Sequence, residues 1–489
     1  MPGDQDQMPD APDRDAPGDA GGAPVLVVDL DGTLCRTDTL EEGILRLAAR
    51  DPLALRHLPR WLAAGRAALK AEVTDRGVLP AETLPLDEAV LEILRAARNE
   101  GRRTALVSAA DHRQVTEVAA ATGLFDEAYG SADGLNLKGP EKARFLTDRY
   151  GETGFHYIGD SMADLPVWAA ARQGFTLHAG PSLRARTDAE VPGIVHLSPP
   201  SGRLSAMLRA LRPHQWSKNA LLFLPILAAH DFLTLWLVVL GFLAFSAAAS
   251  AVYVLNDLVD LADDRAHPRK RNRPFASGEL SARTGVTMAA GLFLAALILT
   301  LVTGSAAFLG VLALYVALTF AYSFWLKRKL LVDVLTLAGL YTIRVIAGGV
   351  VAGVALSPWM LGFSGFLFLC LASVKRQAEL TDLLSSERES SRAYRVDDLP
   401  VLRGIAISAA NSTILVLAVY ISSAEVQVLY PRAELLWLLC PLLLYWMLRM
   451  VMKTHRRAMT DDPIVFAATD RVSVLVILAC AAVALAAAL

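Results

Sequence analysis

Cysteine is scarce in this chain, with four in 489 residues. Cys35, Cys370, Cys440 and Cys480 stand singly and three of them lie in apolar runs, which excludes a disulfide framework and any cysteine-based metal site. A reducing cytosolic side fits that usage. Charge of one sign is equally lacking. Lys plus Arg number 47 against 49 Asp plus Glu, for a net charge of -2, so there is no basic field of the kind that captures nucleic acid. Residues 1–23 are Asp, Pro, Gly and Ala with almost no bulky apolar side chain. They cannot bury a core and are expected to be disordered. No apolar stretch follows Met1, so this is not a signal peptide.

What is present is unevenly distributed. Residues 1 to about 205 are mixed and polar, whereas the remainder is dominated by Leu, Ala, Val and Phe runs, and the length alone suggests two or more domains. The expected organisation is a tail over 1–23, an α/β domain over 24–200, a linker and interfacial helix over 201–218, and an all-α membrane domain over 219–489. Nine apolar segments of spanning length are expected near 219–236, 237–256, 283–303, 305–325, 330–352, 357–376, 402–423, 433–452 and 471–489. Lys and Arg gather in alternate loops, at Arg265–Arg273, Lys327–Lys329, Lys375–Arg403 and Arg449–Arg457, with Arg432 the exception. Positive-inside bias then places these loops and the N-terminal domain in the cytosol of an inner or plasma membrane, with the C-terminus outside.

In the polar half, Pro24–Leu30 (PVLVVDL), Arg103–Ser108 (RTALVS) and His156–Asp160 (HYIGD) read as buried strands, and Gln114–Thr122 as a helix stopped by Gly123. Thr39–Arg98 reads as a small helical cap containing Trp61. Strands alternating with helices imply a parallel sheet whose ligand site lies at the carboxyl ends of its strands. Those ends carry Asp29, Asp31 and Thr33, then Ser108, then Asp160 and Asp164, with Lys142 opening a helix. The order DxDGT, Ser, Lys, GDSxxD resembles the haloacid dehalogenase superfamily of phosphotransferases. The resemblance implies Asp29 as nucleophile, Asp31 as acid and base, and Mg2+ held by Asp29, Asp31, Asp160 and Asp164. Thr33, Ser108 and Lys142 would bind the phosphoryl oxygens, with Lys138 competing for the lysine role.

The apolar half turns on Asn256–Leu280, NDLVDLADDRAHPRKRNRPFASGEL. On one helix, Asn256, Asp260 and Asp264 would share a face, with Asp257 beside them. Repelling carboxylates at that spacing suit Mg2+, a cation of oxygen ligands that keeps contact with substrate phosphates. Arg265, Lys270, Arg271 and Arg273 follow as an anion-attracting rim; the plain alternative is a solvated juxtamembrane loop. This stretch resembles the first Asp-rich motif of the UbiA superfamily of intramembrane prenyltransferases, and Arg212–Asn219 (RPHQWSKN), which includes Lys218, resembles a subset of that superfamily. The resemblance implies at least one Mg2+ there, with Asp257 and Asp260 at the centre of the chemistry.

Where the superfamily carries a second Asp-rich motif, this chain reads Ser373-Val374-Lys375-Arg376-Gln377-Ala378-Glu379. Two cations replace acids, so Lys375 and Arg376 are expected to hold a phosphate directly. Tyr322, Lys327 and Arg344 are further candidates for the same cavity, with Asn219 and Glu379; Asp333 and Arg344 lie in an apolar span and either mark a site or pair with each other. The KRxAEL form resembles the branch that makes polyprenyl-phosphate phosphoribose. The implied substrates are phosphoribosyl pyrophosphate and polyprenyl phosphate, with the phosphatase half removing the 5-phosphate. Two other readings stay open: a prenyltransferase acting on a small or aromatic acceptor beside a separate phosphatase, and a phosphatase merely anchored in the membrane.

Overall fold

A computed structural model describes residues 23–132, 135–197, 202–383, 393–459 and 462–489. The expectations for residues 1–22 and for the linker at 198–201 lie outside the described residues. The chain divides into two compact units, one of residues up to Ala210 together with Asp257–Thr287, the other of Leu211–Asn256 and Met288–Leu489.

The first unit is built on a six-stranded parallel sheet in the order β3-β2-β1-β4-β5-β6. The strands are β1 Val25–Val28, β2 Thr104–Asp111, β3 Glu127–Ser131, β4 Phe155–Gly159, β5 Gln173–Thr176 and β6 Val195–His196. Alternation decides the two faces: Leu26, Val28 and Leu106 pack into one apolar cluster, while Val25, Val27, Ala105 and Val107 pack into another on the opposite side. The three expected strands lie side by side as β2-β1-β4, with Leu26 opposite both Thr104 and His156. β3, β5 and β6 lack a long apolar run, because they lie toward the sheet's edges. Helix His112–Thr122 ends where Gly123 adopts φ 63°, a left-handed stop that favours glycine. The cap comprises helices Thr39–Arg50, Leu58–Ala63 and Arg66–Asp75 around Trp61, Leu47, Leu69 and Val73.

The second unit is all-helical. Eight helices among the described residues are long and apolar enough to cross a membrane: Leu235–Val259, Ala282–Val302, Ala306–Phe324, Val332–Ala352, Pro358–Asp382, Val396–Ile421, Ala433–His455 and Arg471–Ala488. The expected first span at 219–236 is not a helix of that length. It consists of a 3-10 stretch, Pro213–Phe223, a short helix, Leu224–Ala229, and a turn at His230 with φ 54°. Pro225 and the His230-Asp231 pair interrupt what composition alone presents as one apolar run. The described residues thus hold one such helix fewer than the nine expected. The interfacial helix is likewise shorter than expected, ending at Leu211, since Arg212 precedes a proline and is driven out of the helical region.

Candidate functional site

At the carboxyl ends of β1 and β4 the first unit brings Asp29, Asp160 and Asp164 together, with one oxygen of each inside 4.8 Å of the others. Lys142 Nζ lies 2.8 Å from Asp29 Oδ2 and 3.9 Å from Asp164 Oδ1, almost wholly buried. Tyr157, which the sequence reading did not single out, ties the group together. Its hydroxyl accepts from Lys142 at 2.9 Å and donates to Asp164 Oδ1 at 2.8 Å. Gly32 is required by contact as well as by its φ of 77°: a Cβ there would lie 2.1 Å from Asp160 Oδ2. Thr33 donates to Asp160 Oδ1 at 3.4 Å, and Ser108 is buried at the end of β2, accepting from the Ala110 N–H. Asp31 stands apart from the three-carboxylate group. Its Oδ1 accepts from the Thr39 N–H at 2.8 Å, at the start of the first cap helix. Lys138 is exposed, whereas Lys142 reaches Asp29.

Charge explains what this group can hold. Three carboxylates face one lysine in a buried setting. Burial, then the charges of Asp164 and Asp29, push Asp160 well above the usual carboxylate range. Burial also raises Asp164, and Lys142 is held above its ordinary value by Asp29 and Asp164 against the pull of desolvation. Burial, then Asp38, lifts Asp31 to about 7. A divalent cation with oxygen ligands would relieve the excess negative charge, so the residues present fit Mg2+.

The Asp-rich loop, which also belongs to the first unit, is arranged differently. The helix Leu235–Val259 stops before Asp260, and a new short helix, Leu261–Ala266, begins after it. Asn256, Asp260 and Asp264 therefore do not share one helical face. Asp264 and Asp257 are buried and converge on Arg273, whose Nη1 lies 2.6 Å from Asp264 Oδ2 and 3.1 Å from Asp257 Oδ1. Lys270 is 3.8 Å from Asp264 and largely exposed, as is Arg271. Among the described residues Asp257, Asp260 and Asp264 form no second cluster of converging acid ligands. A guanidinium lies between Asp257 and Asp264, the first expected at the centre of the chemistry and the second as a metal ligand with Asn256 and Asp260. Arg265 is not part of an open rim either: it is paired with the buried Glu42.

The second unit encloses a cavity of about 440 Å³. Arg212, Lys218, Arg344 and Lys375 line it against two carboxylates, Glu379 and Asp462, with Asn256, Tyr253, Tyr315, Tyr322 and Tyr341 also on its wall. Lys218 and Lys375 each place Nζ 2.8 Å from the same oxygen, Asp462 Oδ2. Asp462 escaped the sequence reading because Asp before Pro is ordinary helix-cap chemistry; its Oδ1 does accept from the Ile464 N–H. Arg344 rests on neutral partners, Nε donating to Asn219 Oδ1 at 2.8 Å and Nη2 to the Tyr315 hydroxyl at 3.0 Å. Arg376, expected beside Lys375 as a phosphate ligand, does not line the cavity. One residue further along the helix it faces inward and pairs with Asp333 at 2.8 Å and with Glu379. Asp333 and Arg344 therefore do not pair with each other, and the Tyr322 hydroxyl donates to Asp333 at 2.8 Å. Lys327 lies on the 3-10 turn Leu326–Arg328, outside the lining.

Comparison with known proteins follows the same division. Residues 220–469 match the UbiA prenyltransferase family and residues 26–168 the haloacid dehalogenase-like hydrolases. The chain is 37% identical to "uncharacterized protein y4nM" of Sinorhizobium fredii over 464 residues, covering 92% of this chain and 88% of that one. It is 37% identical to nodulation protein NoeC of Azorhizobium caulinodans over 276 residues, 55% of this chain and 89% of that one. It is 39% identical to decaprenyl-phosphate phosphoribosyltransferase of Mycobacterium tuberculosis over 197 residues, 37% of this chain and 62% of that one. Among solved structures, a UbiA homolog from Archaeoglobus fulgidus bound to GPP and Mg2+ aligns with a TM-score of 0.44 at 18% identity, covering 57% of this chain and 99% of that one.

Proposed function

The chain belongs to the UbiA prenyltransferase family, and from that premise we propose that its membrane half transfers 5-phosphoribose from phosphoribosyl pyrophosphate to polyprenyl phosphate, after which its hydrolase half removes the 5-phosphate to leave polyprenylphosphoryl ribose. The observation that carries this reading is the cavity of the second unit, where four cations face two carboxylates and two of those cations converge on one oxygen. Cations placed so are a direct counter-charge for a phosphate that brings no metal of its own. Lys218, Lys375, Arg344 and Arg212 would bind the phosphate groups of donor and lipid, with Asn219 holding Arg344 in place. The nucleophile is a lipid phosphate oxygen, already anionic, so transfer at the anomeric carbon with pyrophosphate leaving needs no protein base. Both sites would face the cytosol, where phosphoribosyl pyrophosphate is made.

In the hydrolase half, Asp29 would attack phosphorus, forming the aspartyl-phosphate bond as the ribose 5-oxygen leaves with a proton from Asp31. Asp31 would then take a proton from water as that water attacks phosphorus and frees Asp29. Lys142, Ser108 and Thr33 would hold the phosphoryl oxygens. Mg2+ held by Asp29, Asp160 and Asp164 supplies charge neutralisation for an anionic nucleophile meeting an anionic phosphate.

The test is incubation of purified protein with ribose-labelled phosphoribosyl pyrophosphate, polyprenyl phosphate and Mg2+. Lipid-extractable label is expected, and its absence would sink the transferase assignment. Four tyrosines on the cavity wall favour a second reading, prenyl transfer to a small or aromatic acceptor. Replacing the donor with prenyl diphosphates in the same assay separates the two.

A further inference from the structure

Within the first unit, Arg265 of the Asp-rich loop commits three of its four hydrogen bonds to the hydrolase fold. Its Nη1 donates to Glu42 Oε2 and to the Thr83 carbonyl, both at 2.7 Å, Nη2 to Glu42 Oε1 at 2.6 Å, and Nε to the Ala276 carbonyl at 2.9 Å. Glu42 is buried and Arg265 nearly so, the side chains being 5% and 10% exposed. This is a bidentate, desolvated ion pair, not surface decoration. Two more contacts come from the loop and from the first turn of the helix that follows it, Ala282–Val302. The Arg283 N–H donates to Glu41 at 3.0 Å, and Gly278, at φ 76°, packs so closely that a Cβ would meet Arg36 Cβ at 2.6 Å.

Glu42 sits in the first turn of the helix Thr39–Arg50, and that helix begins at the phosphatase centre. The Thr39 N–H donates to Asp31, and the Thr37 hydroxyl donates to Glu42. Gly32, on the loop between the two aspartates and the cap, donates its N–H to the Thr37 carbonyl at 3.4 Å. One hydrogen-bonded segment thus runs from Asp31 to Glu42, and its far end is fixed by an arginine contributed 223 residues away.

We propose that Arg265, acting through Glu42, is a positioning residue for the phosphatase site, so that phosphomonoester hydrolysis depends on a loop contributed by the membrane half of the chain. The proposal rests on the hydrolase reading above. Its mechanism is orientation of Asp31: losing the clasp frees the first turn of the helix and with it the N–H that aims the acid. Misplacing a reacting group by about 1 Å costs on the order of a hundredfold.

The experiment uses full-length protein in detergent, comparing wild type with Arg265→Lys and Glu42→Gln on two substrates, ribose 5-phosphate and p-nitrophenyl phosphate. Thermal melting is followed in parallel. An alkoxide needs Asp31's proton to leave, whereas nitrophenolate leaves without it. The expected result is a loss of about ten- to a hundredfold in the pre-steady-state rate of phosphoenzyme formation on ribose 5-phosphate and a clearly smaller loss on p-nitrophenyl phosphate, the later attack of water needing Asp31 with either ester. Equal losses on the two substrates in step with a falling Tm would reduce the clasp to ordinary stability, and wild-type rates would remove it altogether; either overturns the proposal. Glu42→Gln keeps the side chain's size and an acceptor for Arg265, so it decides the matter where the arginine variant fails to fold. A wild type that hydrolyses neither ester would instead refute the hydrolase reading on which the proposal stands.

Discussion

Two acidic clusters in the first unit are drawn from similar sequence patterns and are neutralised in opposite ways. At the sheet's carboxyl edge three carboxylates, Asp29, Asp160 and Asp164, share one lysine, Lys142, and are left with excess negative charge. In the Asp-rich loop two buried carboxylates, Asp257 and Asp264, share one arginine at 3.1 and 2.6 Å, with Lys270 a further 3.8 Å contact. The first cluster asks for a metal and the second already contains a cation. Spacing of acids along a chain therefore does not identify a metal site. The balance of charge at the point where they meet does.

The sharpest way to break this comparison is Asp29→Asn. If Asp29 is the nucleophile, release of inorganic phosphate from the phosphoribosyl lipid should fall by at least about a thousandfold, equivalent to roughly 4 kcal/mol in the barrier. Lipid labelling should persist, and mass spectrometry of the extracted lipid should show the 5-phosphate retained. Normal phosphate release would remove the nucleophile assignment. Chelation by EDTA should likewise abolish phosphate release.

The next effect is on the arginine-filled cluster. Arg273→Met leaves two buried carboxylates facing each other. Breaking a fully buried pair costs about 3–5 kcal/mol, and the partial exposure of Arg273 lowers the expectation to about 2–3 kcal/mol. The loss should appear as a lower Tm that added Mg2+ partly restores, since the metal would take the vacated position between the acids. No Mg2+-dependent recovery would mean that these carboxylates cannot serve as ligands.

Much of this was legible in the sequence, and the division between what was and was not has a physical basis. The residues gathered at the sheet's carboxyl edge were readable because all but Lys142, which opens a helix, follow the end of a strand, and parallel-sheet topology brings strand ends together whatever the rest of the chain does. The fate of each cation was not readable. Arg265, Arg273 and Arg376 look identical in sequence to phosphate ligands, yet their carboxylate partners are Glu42, the neighbouring aspartates, and Asp333 with Glu379. Glu42 is 223 residues from Arg265, beyond any local pattern. Helical phase was the missing signal for Arg376: a step of one residue rotates a side chain about 100°, and Lys375 and Arg376 cannot both face the cavity. The broken first span was missed because apolar composition does not register what Pro225 does to a helix.

The cavity supplies the converse case, in which cations outnumber acids, and Lys375 tests it against its neighbour. Lys375→Ala should weaken use of the phosphorylated donor by about ten- to a hundredfold, the value of a charge-assisted phosphate contact of roughly 1.5–3 kcal/mol. Arg376→Ala should instead lower the yield and Tm of the protein, because the fully buried Asp333 loses the guanidinium that balances its charge. Initial-rate kinetics beside thermal melts distinguish the two. Equal kinetic defects in two equally stable variants would restore Arg376 to the site.

The smallest effect is expected at Lys270, and it sharpens the account of the Asp-rich loop most finely. Lys270 and Arg273 belong to the same basic run, and the pattern of residues gives no reason to rank them. Geometry ranks them clearly. Arg273 makes two contacts with buried carboxylates, whereas Lys270 stands 3.8 Å from Asp264 with its side chain 46% exposed. A solvated pair at that distance is worth about 0–1 kcal/mol and is screened by salt. Lys270→Ala should therefore change Tm by little and lipid labelling by no more than about fivefold, which is what 1 kcal/mol allows. Any effect should shrink further as ionic strength is raised from low to physiological. A larger loss of labelling that persists at high salt, with Tm unchanged, would show that Lys270 contacts a substrate phosphate directly, and the solvated-loop reading of that residue would then fail.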